Sequence, residues 1–181
     1  MPIQLAVVMR RDRIDHPWQM HRWALDEVLL DVGQFERSLP NGLPRIDIDD
    51  IHGQCVLKDA DNERWIYTGF KLDLFVDEAE GYYLNVNAPK PCWFVMWRQE
   101  EMDSFEEICA IPRRVVLSYN EAGRMSDGGE TVDTYPVDAT ILQWMKDFVD
   151  QHYKPEPKRK HRPMSFEGAH RPASKGGSRH E

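Results

Sequence analysis

Cysteine is scarce in this chain. Cys55, Cys92 and Cys109 are the only three, an odd number with no pair at C-x-x-C spacing. A disulfide framework is therefore not expected, and buried reduced thiols are. Long apolar runs are missing too: no stretch approaches the roughly 20 apolar residues that a membrane-spanning helix needs. Residues 1–13 (MPIQLAVVMRRDR) carry their charges after the apolar run. A secretory signal carries them before it and has a longer apolar segment. No membrane insertion and a cytoplasmic location are expected.

Catalytic signatures are also lacking. Gly128 and Gly129 are not followed by the Lys-Ser/Thr of a phosphate loop, and residues 2–13 contain no glycine that could form a nucleotide-binding loop there. There is no G-x-S-x-G elbow, no H-E-x-x-H and no EF-hand loop. His16 and His21 are five residues apart with a proline between them, whereas a helical zinc pair needs a spacing of four. Cys92 sits in an apolar stretch, where a thiol is protonated and inert. No catalytic residue, metal ligand or cofactor is assigned on these grounds, and a binding role is favoured over catalysis.

What is present is the material of one globular domain. Apolar residues make up 41% of the 181 and charged residues 30%, enough for a packed core. The net charge of −8 is unevenly spread. Residues 154–181 hold eight Lys and Arg against three Glu, which leaves 15 basic and 28 acidic residues in the rest. An acidic body carries a basic tail. The tail is poor in apolar residues and rich in Pro, Gly and Ser, so it is read as disordered, and the domain as residues 1–153.

Along the body, residues 3–9 (IQLAVVM) read as a buried strand and 10–17 as a loop. Residues 18–30 fit both alternation and a helical face and are taken as a strand. Residues 35–52, with their Pro, Gly and acidic residues, read as a surface loop around a short strand near 45–48, and 54–57 as another strand. In residues 65–76 (WIYTGFKLDLFV), Ile66, Thr68, Phe70, Leu72, Leu74 and Val76 alternate onto one face. Asp77, Glu78 and Glu80 then read as a solvated hairpin tip, or more sharply as a contact for a basic partner. Residues 82–87 (YYLNVN) return as a strand and 92–98 (CWFVMWR) form a central one, in which Trp93 and Trp97 read as core. These three strands make a meander. A further strand is expected at 113–119, a loop at 120–134, and a helix after Asp138, its N-cap, with Ile141, Leu142, Met145, Phe148, Val149 and His152 on one face. The expected fold is α+β: an antiparallel β-meander or partly closed barrel capped by one C-terminal helix.

Four blocks bear on function: residues 77–87 (DEAEGYYLNVN), 94–98 (FVMWR), 116–122 (VLSYNEA) and 153–160 (YKPEPKRK). In this order they resemble the domain-of-unknown-function family numbered 3305, a proteobacterial family of uncharacterised proteins, over most of residues 1–160. Members of that family tend to be encoded near molybdenum-dependent formate dehydrogenase and its maturation factors. The resemblance thus implies an accessory or chaperone-like binding protein whose partner is a formate dehydrogenase subunit or maturation factor. The competing expectation is a small-molecule or cofactor-binding enzyme of molybdenum-cofactor metabolism. Tyr82, Tyr83, Asn85, Tyr119, Asn120 and Glu121 are the candidate ligand or partner contacts. A third expectation is a nucleic-acid-associated regulator that uses the basic run 158–162 to contact phosphate.

Overall fold

A computed structural model of the protein describes residues 2–35, 42–102 and 108–155. Strands β1 (Ile3–Arg13), β2 (His21–Leu30), β3 (Arg45–Ile48), β4 (Ile51–Lys58) and β5 (Asn62–Leu72) form one antiparallel sheet in the order β2-β1-β5-β4-β3. A 3-10 turn (Val76–Glu78) then leads into helix α1 (Ala79–Val86). Strands β6 (Cys92–Glu101), β7 (Ile108–Val116) and β8 (Thr131–Pro136) make a second antiparallel sheet in the order β7-β6-β8. Helix α2 (Tyr119–Asp127) links β7 to β8, and α3 (Ala139–His152) follows β8.

The fold is α+β, and the described residues form two sheets that do not close into a barrel and three helices where one was expected. The central core joins Leu5, Val7 and Met9 of β1 and Trp65, Tyr67, Phe70 and Leu72 of β5 to Trp93, Val95 and Trp97 of β6 and to Ile141, Met145 and Val149 of α3. A smaller cluster of Phe94, Val116 and Ala122 holds α2 against the second sheet.

Two buried polar devices belong to this core. Glu63 is 2% exposed; it accepts from Trp65 Nε1 at 2.6 Å and pairs with Arg11 at 2.6 Å. Asp133 on β8 accepts from the Leu25 N–H of β2 at 3.0 Å and from Trp97 Nε1 at 3.0 Å, which ties the edges of the two sheets together.

Several expectations are met. The strand at 45–48, the strand assignment of residues 21–30 and the central position of β6 are all observed. So is α3, whose N-cap Asp138 accepts from the Ile141 N–H at 2.9 Å. The three cysteines are free, Cys55 and Cys109 buried as expected and Cys92 only half-buried.

Others are corrected. The predicted loop at 10–17 begins later, because β1 continues to Arg13. In β5 the inward residues are Trp65 and Tyr67, at 1% and 0% exposure, and not Ile66 and Thr68. Gly69, at φ +100°, shifts the phase so that Phe70, Leu72 and Leu74 point inward after it. A Cβ at Gly69 would stand 1.9 Å from the Asp50 carbonyl oxygen, so only glycine fits this bend.

The predicted strand at 82–87 is helix α1. Ala79, Tyr82 and Val86 recur at helical spacing, and so short a segment matches either period. Its neighbours β5 and β6 therefore lie in different sheets, and the three consecutive strands that do form a meander are β3, β4 and β5. The predicted strand at 113–119 is β7, which ends at Val116, and the predicted loop at 120–134 contains most of α2 and the start of β8. Of the described residues, no helix is long and apolar enough to cross a membrane. Residues 156–181, most of the predicted disordered tail, lie outside the described residues.

Candidate functional site

The six residues singled out from the sequence fall on two neighbouring helices: Tyr82, Tyr83 and Asn85 on α1, and Tyr119, Asn120 and Glu121 in the first turn of α2. The helices approach closely because α1 carries a glycine at the crossing. A Cβ on Gly81 would lie 2.0 Å from Ser118 Oγ.

The inward face of α1 is committed to the fold. Asn85 is fully buried. Its amide nitrogen donates to the Cys92 and Leu117 carbonyls, each at 2.8 Å, and its oxygen accepts from the Cys92 N–H at 3.0 Å. The side chain thus pairs with the start of β6 as a neighbouring strand would, and also reaches the carbonyl just past β7. Tyr82 is 2% exposed and sets its ring edge-on to Phe148, with centroids 5.7 Å apart. Its hydroxyl accepts from the Phe75 N–H at 3.3 Å. Burial, aided by the charges of Glu121, Glu78 and Asp77, pushes the phenol up to about 12 against that hydrogen bond. Tyr83 rests against Tyr153, with ring centroids 5.0 Å apart.

The heads of the two helices form a charged cluster. Ser118 caps α2: its Oγ accepts from the Glu121 N–H at 3.1 Å and donates to Glu78 Oε2 at 2.5 Å. Glu78 also receives Arg124. Glu121 pairs with Arg114 at 2.6 Å, yet its carboxyl is held above the usual carboxylate range, first by burial and then by the nearby Glu78 charge. Asn120 Nδ2 donates to Glu80 at 3.3 Å. Tyr119 stays 53% exposed, its ring edge-on to Phe94.

Glu121, of the six, reaches a cavity. That cavity is a groove of about 290 Å³ where β5 approaches β7, with apolar lining from Phe70, Leu72 and Val115 and charge from Lys71, Arg113 and Arg114. Phe75 stands at its rim 59% exposed, and its neighbour Val76 is 60% exposed. The sequence reading missed both, since it placed Val76 on the buried face of a strand. A signal was available. Leu74, Phe75 and Val76 are three successive apolar residues, and a strand with one covered face cannot bury all three.

Other candidates resolve simply. Trp93 and Trp97 are buried. The Cys92 thiol is pushed up by burial. His16 Nδ1 accepts from the Trp18 N–H at 3.3 Å. Among the described residues, no three His, Cys, Asp or Glu side chains gather as a metal site. One family model, described as a protein of unknown function (DUF3305), matches the chain over residues 4–162. No curated protein and no solved structure matches it.

Proposed function

We propose that the chain, which belongs to the DUF3305 family, is a non-catalytic accessory or chaperone-like protein that docks a protein of the molybdenum-dependent formate dehydrogenase system. One observation carries the docking reading: Phe75, which lines a groove of mixed apolar and charged character, and its sequence neighbour Val76 are each more than half exposed. Apolar anchors beside a shallow apolar hollow, rimmed by charge, are the usual anatomy of a protein interface. The partner's class comes from the family resemblance. The volume of about 290 Å³ is at the lower limit for small-molecule sites, which favours a protein over a cofactor as the occupant.

The test is co-expression of the full chain with formate dehydrogenase subunits and maturation factors, each in turn. Native protein retains one of them through purification, while the Phe75→Ser, Val76→Ser double variant loses it and keeps its melting temperature. Equal retention by both proteins, or by neither, refutes the reading. Co-purification of a pterin or nucleotide in place of a protein would install the enzyme alternative.

A further inference from the structure

We propose that the groove between β5 and β7 takes an extended segment of the partner as an added β-strand, paired with Lys71 of β5, and that this segment runs apolar, acidic, apolar. The inference rests on the docking reading, because it states how the partner occupies that same groove.

The groove exists because β4 does not cover the whole of β5. β3 and β4 turn at Asp49, which has φ 51°, and Asp50, so β4 starts at Ile51. Its pairing with β5 runs no further than His52 opposite Thr68, whereas β1 follows β5 on to Leu72. Residues 70–72 are therefore a strand edge, open on the side where β4 is missing. The opposite wall is β7, which pairs with β6 alone. Both edges line the cavity of about 290 Å³, with Phe70, Lys71 and Leu72 from β5 and residues 113–116 from β7.

The phase of the hydrogen bonds shows where the backbone points. The Gln4 carbonyl accepts from the Asp31 N–H at 2.9 Å, on the β2 side of β1. By alternation, Ile3 and Leu5 turn their N–H and C=O to β5, where they meet Leu72 and Phe70. Lys71 lies between those two and turns its own N–H and C=O away from β1, into the groove. The same argument holds for β7. Cys92 meets Asn85 on the β7 side of β6, so Phe94 and Met96 turn to Val116 and Arg114. Val115, between them, points its backbone groups away from β6. Among the described residues, no strand pairs with Lys71 or Val115 on these outer sides. Such edges are what an incoming strand completes. Other edges are blunted: the Asp133 carboxylate takes the Leu25 N–H of β2, and β3 is four residues long.

Side chains set the composition of the segment. Arg113 in the groove is held by Glu100 and Arg114 by Glu121, whereas among the described residues Lys71 has no ion pair. Directly opposed residues of paired strands share a face. The residue opposite Lys71 is therefore acidic. Those opposite Phe70 and Leu72, at 7% and 8% exposure, are apolar. Phe75, at the same groove and 59% exposed, extends the apolar contact.

Two capped peptides, Thr-Val-Glu-Val-Thr and Thr-Val-Lys-Val-Thr, test this against the full chain by amide chemical shifts and hydrogen exchange. In the free chain the Lys71 amide exchanges faster than those of Phe70 and Leu72. The glutamate peptide binds and slows the Lys71 amide, and the lysine peptide binds about fivefold more weakly. In Lys71→Glu the order of the two peptides reverses. N-methylation of the peptide's glutamate removes the N–H that meets the Lys71 carbonyl and weakens binding about tenfold. A Lys71 amide already protected in the free chain overturns the proposal. So do no binding at millimolar peptide, equal binding of the two peptides, or indifference to the N-methyl group.

The outcomes separate this inference from the docking reading. Strand addition by the glutamate peptide, with no formate dehydrogenase component retained by the native chain, keeps the mode of binding and removes the named partner. Retention that Phe75→Ser, Val76→Ser abolishes, with the Lys71 amide unprotected in the complex, keeps the docking reading and removes strand addition.

Discussion

The two faces of α1 invert the usual division of labour. Its inner face buries a polar residue, Asn85, and its outer side exposes apolar ones, Leu84 together with Phe75 and Val76 just ahead of the helix. Asn85 is tolerated inside because both ends of its amide are satisfied by backbone that would otherwise have no partner. The outer apolar residues have no such account within the domain. A buried polar group that is fully bonded belongs to the fold, and an apolar cluster that the described residues leave exposed belongs to recognition. This is why Asn85, named from the sequence as a contact, reads here as a structural clamp, and why the contact surface lies on the other side of the same helix.

Replacing the clamp gives the largest expected effect. Asn85→Leu leaves the Cys92 N–H without its partner and removes bonds to the Cys92 and Leu117 carbonyls, at a cost of about 4 kcal/mol. Urea unfolding should show the midpoint falling by about a quarter to four-fifths, since whole domains have about 5–15 kcal/mol to lose. A loss below about 1 kcal/mol would place Asn85 with the surface residues after all.

The buried ion pair in the first sheet is the next case. Glu63→Gln keeps the shape but leaves the Arg11 guanidinium, 12% exposed, without its carboxylate, and should cost about 3 kcal/mol by the same measurement. Ser118→Ala is smaller, about 1 kcal/mol. It removes the cap of α2 and the hydroxyl that joins Glu78 to it, and amide hydrogen exchange should quicken in the first turn of α2 before anywhere else.

The ease of reading each element from the sequence follows from how locally its signals lie. α3 was legible because Asp138 caps it and Ile141, Met145 and Val149 repeat over several turns. α1 was not, because its two turns are shorter than the window needed to separate a period of 3.6 from one of 2. The start of α2 carried a readable sign that went unused. Ser118 and Glu121 have the spacing of a capping box, although the Glu121 carboxylate turns to Arg114. The phase change at Gly69 could not be read at all, since it depends on the Asp50 carbonyl reaching β5 from a distant turn. Of the candidate site, Glu121 and the acidic trio were legible as chemistry. Which side of α1 was covered depended on the packing of α3, and that is tertiary information.

Tyr82 ties the inner face to pH. Its phenol is pushed up to about 12 in the fold, against an ordinary value of 10.0 in the unfolded chain. Its contribution is therefore fully present below pH 10 and is lost as pH rises through 10 towards 12. Tyr82→Phe should flatten that part of the stability profile while changing little at neutral pH beyond one hydrogen bond, about 1 kcal/mol. Tyr67, whose phenol burial also holds far above the usual range, keeps a residual slope in the variant. An unchanged slope would mean that Tyr82 is open to solvent and does not belong to the buried face.

The smallest expected effect tests the comparison most sharply. Phe75 and Val76 are more than half exposed, so removing them takes little apolar surface out of the core, and the Phe75 N–H that meets Tyr82 is backbone and survives substitution. Phe75→Ser and Val76→Ser should each change unfolding stability by less than about 0.5 kcal/mol. A buried residue of the same type would cost about 3 kcal/mol or more when truncated. Stability held while partner retention is lost assigns the pair to recognition. A loss approaching the core value would show that these side chains pack against the domain, and the outer face of α1 would then be as structural as the inner one.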